Sequence, residues 1–143
     1  MKRIAIQGIH GSFHDIAARQ YFANEQIQLD CCATFEEVFE HARLDPTVIS
    51  MMAIENTIAG SLLHNYELLR ASGQTIVGEH KLHIQHCICS MPEDDWNTIA
   101  EVNSHPVALM QCRLFLANHP AIKAVEAEDT AGSAAMISSN KKH

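Results

Sequence analysis

The run Val48-Ile49-Ser50-Met51-Met52-Ala53-Ile54-Glu55-Asn56-Thr57-Ile58-Ala59-Gly60-Ser61 decides the fold. Residues 48–54 are short, apolar and β-branched at several positions, which predicts a buried strand. A carboxylate, an amide, a hydroxyl, a glycine and a second hydroxyl follow at once. Leu62, Leu63, Tyr66 and Leu69 then recur at helical spacing. A strand that empties into small polar groups and then a helix is where open α/β sheets bind ligands. The helix start also offers N–H groups to an anion.

Working outward, strand and helix signals alternate. Residues 3–7 read as a first strand and residues 8–12 as a turn, with Ser12 and Asp15 a capping-box-like pair for a helix reaching about Phe22. Residues 27–33 form the next strand. Thr34 with Glu37 is a second capping box, and Phe35, Val38, Phe39 and Ala42 give its helix an apolar face that Asp45-Pro46 ends. The helix after Ser61 stops near Ser72-Gly73. Residues 75–91 are extended in character, and residues 92–97 are a polar turn. Residues 101–104 are a short strand, Pro106 suits a first helical position, and Val107, Met110, Leu114 and Ala117 keep the helical period. Residues 122–127 are another strand, and Asp129 or Thr130 caps an alanine-rich last helix. This order predicts an α/β fold, a mostly parallel sheet with helices on its faces. The stretch near residues 75–90 reads as a crossing into a second lobe.

At 143 residues the chain suffices for one modest domain or two small lobes, and 47% apolar residues suffice for a core. A formal net charge of −7 argues against nucleic acid or an acidic membrane as partner, but not against a small anion held by local donors. No stretch has the length of a membrane span, and the start lacks the features of a signal peptide. Five cysteines without regular spacing suggest a reducing compartment, so a cytoplasmic protein is expected.

Four strand-to-helix junctions share one character: Gly11-Ser12-Phe13; Asn56-Thr57 with Gly60-Ser61; Ser104-His105-Pro106; and Asp129-Thr130-Ala131. In parallel sheets such junctions lie at one edge, and each supplies N–H groups, a hydroxyl and about half a unit of positive dipole. Together they make an anion cradle with few Arg or Lys residues. His105 suits a donor to a carboxylate, an acid, or a helix cap. Glu55 suits catalysis or anchoring of its loop through backbone N–H groups. Gln111 either reaches the site or is solvated.

The ten histidines suggest metal, but the pattern does not. On a strand, His83 points away from His80 and His86, so the three cannot converge. Cys31-Cys32 and Cys87-x-Cys89 are poor zinc clips, and no His-Glu-x-x-His or Cys-x-x-Cys occurs. No metal site is expected. Gly8-Ile9-His10-Gly11 has no downstream Gly-Lys-Ser/Thr and is not a nucleotide loop.

Gly8-Ile9-His10-Gly11-Ser12-Phe13, Ala53-Ile54-Glu55-Asn56-Thr57-Ile58-Ala59-Gly60 and Ser104-His105-Pro106-Val107-Ala108-Leu109-Met110-Gln111-Cys112 together resemble prephenate dehydratases. The third stretch matches that family's pattern throughout. Thr130-Ala131 before an alanine-rich helix also fits, as does Gly78-Glu79 with Leu82 and Ile84, similar to the family's inter-lobe strand. Ile9 and Ala53 stand where the family has proline, and Thr57 where it has serine. The family's Thr-Arg-Phe signature, whose threonine is assigned the central catalytic role, occurs nowhere in the sequence.

The resemblance implies conversion of prephenate to phenylpyruvate, carbon dioxide and water in phenylalanine biosynthesis, without metal or organic cofactor. It implies substrate contacts from Gly11, Ser12, Phe13, Glu55, Asn56, Thr57, Gly60, Ser61, His105, Gln111 and Thr130. It also implies two α/β lobes of type II periplasmic-binding-protein kind, parallel-rich sheets flanked by helices. Residues 1–75 would form lobe one and residues 76–143 an incomplete lobe two, with the catalytic return segment and the regulatory ACT domain absent. A truncated, weakly active, self-associating polypeptide is the expectation. The alternatives are a non-catalytic small-anion binding module of the same fold, and a redox or metal protein using the Cys and His residues.

Overall fold

The structure, a computed structural model, describes residues 1–58 and 60–140; Ala59 of the second motif and Lys141, Lys142 and His143 lie outside the described residues. The chain divides into two compact units, Met1–Ile84 and Gln85–His143.

Unit one is built on β1 (Lys2–Gln7), whose Ile4, Ala5 and Ile6 are all fully buried. Burial of successive residues means both faces are covered, as expected for a middle strand of a parallel sheet. It lies between β2 (Ile27–Cys32) and β3 (Val48–Met51), parallel to both. On one face Ile4 and Ile6 pack with Ala18 and Phe22, from α1 (Phe13–Tyr21) and its cap. On the other, Ala5 packs with Val38 and Ala42 of α2 (Phe35–Leu44), with Cys32 and Val48 completing the cluster. Both helices start as their caps predict. Ser12 Oγ accepts from the Asp15 N–H, and Thr34 Oγ1 accepts from the Glu37 N–H, each at 3.3 Å. The carboxylates return to the preceding residues, Asp15 to the Gly11 N–H and Glu37 to the Ala33 N–H.

The strand expected over residues 48–54 stops at Met51, because its ladder with β1 ends at the Ile6–Met51 rung. The chain then makes a small antiparallel hairpin, β4 (Glu55–Asn56) against β5 (Gly60–Ser61), before α3 (Leu63–Ser72). α3 ends at Gly73 in the left-handed region (φ 71°) and packs against α2. Thus the chain leaves β1 toward one face of the sheet and β3 toward the other. Such a divergence opens a crevice at the carboxyl ends of the two strands.

Unit two pairs β6 (Glu101–Ser104) with β7 (Lys123–Glu126) in parallel. The single helix expected after Pro106 is two, α4 (Pro106–Gln111) and α5 (Arg113–Ala117), divided at Cys112. The last helix, α6 (Thr130–Asn140), is capped by Asp129: its carboxylate accepts from the Gly132 N–H and its carbonyl from the Ser133 N–H.

The inter-lobe strand expected around Gly78, Glu79, Leu82 and Ile84 does not form; residues 74–90 have no ladder partner among the described residues. The stretch still has a strand's two-residue burial rhythm, with Leu82, Ile84 and His86 half-buried between exposed neighbours. Its N-terminal part stays with unit one, beyond the expected boundary at Thr75: His80 bonds Gln20 at 3.0 Å and meets the Tyr21 ring edge-on.

Candidate functional site

The four junctions fall into two pairs, one in each unit, rather than one set on one sheet. In unit one the turn after β1 flanks the crevice on one side. Gly8 and Gly11 take φ of 98° and 87°, a backbone that side chains disfavour. The Gly8 N–H donates to the Cys32 carbonyl, and the Ser12 N–H to the Ile9 carbonyl. The Gly11 N–H donates to Asp15, a buried carboxylate that also pairs with Arg19 and has His10 at 3.7 Å. The amides of Gly11 and Ser12 are therefore committed within the protein, which corrects the expectation that this junction offers them to an anion. What it retains is the Ser12 hydroxyl, which accepts from Asp15 and still has its own proton to donate. Phe13 opens α1, half-buried. A Cβ at Gly11 would meet no atom within 4 Å. Gly11→Ala should then cost only the backbone term, about 1–2 kcal/mol, read as a lower urea midpoint.

On the other side lies the β4–β5 hairpin. Asn56 organises it: its side-chain oxygen accepts from the Ile58 N–H at 2.9 Å, closing an Asx turn. Gly60 follows at φ 85°. Thr57, Gly60 and Ser61 are exposed, and so is Glu55, which pairs with Ser61 on the hairpin instead of ending a buried strand. α3 begins without a side-chain cap, so its first turn keeps the positive end of its dipole open toward the hairpin.

In unit two, His105 caps α4: its Nδ1 accepts from the Val107 N–H at 3.2 Å. A neutral ring that accepts at Nδ1 carries its proton on Nε2. Capping and donation are thus compatible, and the exposed Nε2–H is a ready donor. The neighbouring Ser104, buried, donates its hydroxyl to Thr130 Oγ1 at 3.3 Å, joining the junctions after β6 and β7. Gln111 is not merely solvated. Its Oε1 lies 2.6 Å from His86 Nε2.

Two hollows of about 240 Å³ lie elsewhere, one against Asp129, Ser133 and Met136, the other against Arg19, Phe22 and Ile27. Asp129 of the fourth junction borders the first, but none of the implied substrate contacts lines either. Among the described residues no group of three metal-ligating side chains gathers. The thiols of Cys31, Cys32 and Cys112 are pushed up by burial, and the first two further by acidic neighbours. A raised thiol is a poor nucleophile at neutral pH. Among the described residues, no helix is long and apolar enough to cross a membrane.

Sequence reasoning missed His14 and Asn65. His14 Nε2 accepts from the Ala53 N–H at 3.2 Å, and Asn65 Nδ2 donates to the Ala53 carbonyl at 2.7 Å. Both contacts bridge distant parts of the chain, so no spacing signals them.

Parallel sheets flanked by helices, with hydroxyl- and amide-rich corners after their strands, define an α/β protein. Comparison with known proteins narrows this. The prephenate dehydratase family model matches residues 4–143, so the chain belongs to that family. It is 39% identical over 136 residues to the bifunctional chorismate mutase/prephenate dehydratase of Escherichia coli (strain K12), covering 94% of this chain and 35% of that protein. It is 36% identical over 140 residues to arogenate dehydratase 1 of Petunia hybrida, covering 96% of this chain and 32% of that one. The chain thus spans about a third of the length of these relatives. A solved structure described as GqqA, a novel type of quorum quenching acylase, matches at a TM-score of 0.83 and 30% identity, over 99% of this chain and 50% of its own. That likeness agrees with a periplasmic-binding-protein-like α/β fold.

Proposed function

We propose that this polypeptide binds prephenate and supplies substrate-holding elements of a prephenate dehydratase. Prephenate carries two carboxylates and a ring hydroxyl. Holding it needs aimed donors more than net positive charge. The observation that carries the reading is the divergence of the chain after β1 and β3, where the Ser12 turn follows one strand and the Asn56 hairpin the other. The Nε2–H of His105 and the Ser104–Thr130 hydroxyl pair are the corresponding donors of unit two. On this reading Gly11, Gly60 and Asn56 shape the substrate loops; Ser12, Thr57, Ser61, His105 and Thr130 donate; and Phe13, Glu55 and Gln111 border the substrate.

Loss of the ring hydroxyl as water needs a proton donor, and loss of carbon dioxide is driven by aromatisation. The threonine to which the family assigns the central step belongs to Thr-Arg-Phe, which these 143 residues do not contain. Binding with little turnover is therefore the expected behaviour of this polypeptide, and phenylpyruvate formation at a normal enzymatic rate would refute it. The same observation keeps a non-catalytic anion-binding module as the second reading. Calorimetric titration separates them: prephenate binding well above succinate and malonate supports the first, and equal affinities support the second. An N-acyl amide belongs in the same series, because the solved relative is described as an acylase.

We also infer self-association in a cytoplasmic setting. Among the described residues β2 and β3 each have one ladder neighbour, Leu63, Ile76 and Val77 are largely exposed, and all five cysteines are free thiols. Sedimentation velocity should show a concentration-dependent dimer or larger species; a monomer at every concentration would contradict this.

A further inference from the structure

We propose that His14 and Asn65 are positioning residues that hold the N–H and the carbonyl of Ala53 and so set the β4–β5 hairpin beside the Ser12 turn. The ladder between β1 and β3 ends at Ile6 and Met51, so Gln7 and Ala53 lie beyond its last rung. There the His14 ring takes over. Nε2 accepts from the Ala53 N–H at 3.2 Å. One imidazole carried on α1 thereby meets the chain just beyond the end of β3. Asn65, 2% exposed on α3, donates to the Ala53 carbonyl, giving a polar side chain in that place its partner. Phe35 meets the His14 ring edge-on at 5.5 Å and helps fix its plane. Ser12 begins the helix that carries His14, and Glu55 and Asn56 follow Ala53 by two and three positions. The clamp therefore couples both sides of the crevice.

The grip requires a neutral ring, because an imidazolium donates from both nitrogens and offers the Ala53 N–H no acceptor. Burial holds the His14 pKa below its ordinary 6.5, opposed by the Gln7 carbonyl. The titratable groups on the surrounding helices are Asp15, Arg19 and Tyr21 on α1, Glu36, Glu37, Glu40, His41 and Arg43 on α2, and His64, Tyr66, Glu67 and Arg70 on α3; Asp15 pairs with Arg19, Glu36 with His64 and Glu40 with Arg43. None of these charges contributes to the shift. As pH falls, the unfolded chain takes the proton first. The clamp's stabilisation is thus fully present above 6.5 and lost as pH falls from there through the depressed native value.

The functional consequence rests on the prephenate reading; the clamp itself does not. The test compares wild type, His14→Ala and His14→Gln by amide hydrogen exchange at Ala53 and Ile58, at about pH 7.5 and about pH 5.5, with prephenate affinity read in parallel. Glutamine keeps an acceptor for the Ala53 N–H and does not titrate. The expected result is roughly tenfold or greater loss of Ala53 protection in His14→Ala at the higher pH, with weaker prephenate binding. His14→Gln should stay protected and lose the acid-induced opening seen in wild type. Unchanged Ala53 exchange in His14→Ala, or acid opening that persists in His14→Gln, overturns the clamp. Should His14→Ala not fold, the glutamine comparison decides alone. If Ala53 opens as expected but wild type binds no prephenate, the clamp stands and the substrate reading falls.

Discussion

Exchange of His105 for aspartate should weaken prephenate binding by about 10- to 100-fold while leaving the fold intact. Aspartate is among the best helix caps and can replace Nδ1 as acceptor for the Val107 N–H. It cannot replace the Nε2–H, and it places a negative charge where a dianion is to bind. A hydrogen bond to a charged group is worth about 1.5–3 kcal/mol, which corresponds to the stated range. Alanine at the same position loses cap and donor together, so it should also lower stability, by about 1 kcal/mol. The contrast separates the two roles of the ring: aspartate loses binding alone, alanine loses both. Equal prephenate affinity in wild type and His105→Asp, measured by calorimetry, would remove His105 from the site.

The largest effect on stability is expected at the centre of unit one. Ile6 is fully buried on the middle strand and packs with Ile4, Ala18, Phe22 and Met51. Truncation to alanine forfeits its transfer energy and leaves a cavity flanked by ladder rungs that cannot easily collapse, costing about 2–5 kcal/mol. Small domains have about 5–15 kcal/mol to lose, so the urea midpoint should fall steeply. Leu44, 69% exposed at the end of α2, provides the control; its alanine variant should stay within about 0.5 kcal/mol of wild type. Comparable losses at both positions would mean that β1 is not the core of the unit.

The elements legible in the sequence are those written in local terms. Ser12 and Thr34 announce α1 and α2 because a cap acts within three residues, and the Ser-His-Pro run announces α4 for the same reason. β1, β2, β6 and β7 are legible as short runs with apolar positions between turn signals. What stayed hidden depends on partners far along the chain. Where β3 stops is set by where β1 stops, and nothing in Met52, Ala53 or Ile54 encodes that limit. A hairpin of two residues per strand has no period to detect. Residues 74–90 carry a strand's alternation, but alternation reports burial and cannot supply a ladder neighbour.

The candidate site divides in the same way. Its residue types were legible from the motifs, whereas their commitments were not. Gly11 spends its N–H on Asp15, and Gln111 meets His86 across 25 positions. The grip on Ala53 spans 39 positions to His14 and 12 to Asn65. Spacing rules reach about one helical turn, which is why these partners become visible only in the folded chain.

The central claim is that the donors each unit carries after its strands, Ser12 and Asn56 in unit one and His105 in unit two, contact a doubly charged guest. Its most direct test is an amide and imidazole chemical-shift titration of the labelled polypeptide with prephenate. Saturable shifts are predicted at Ser12 and Asn56 with one dissociation constant, and at His105 in unit two. Absence of saturable shifts at these three would contradict it.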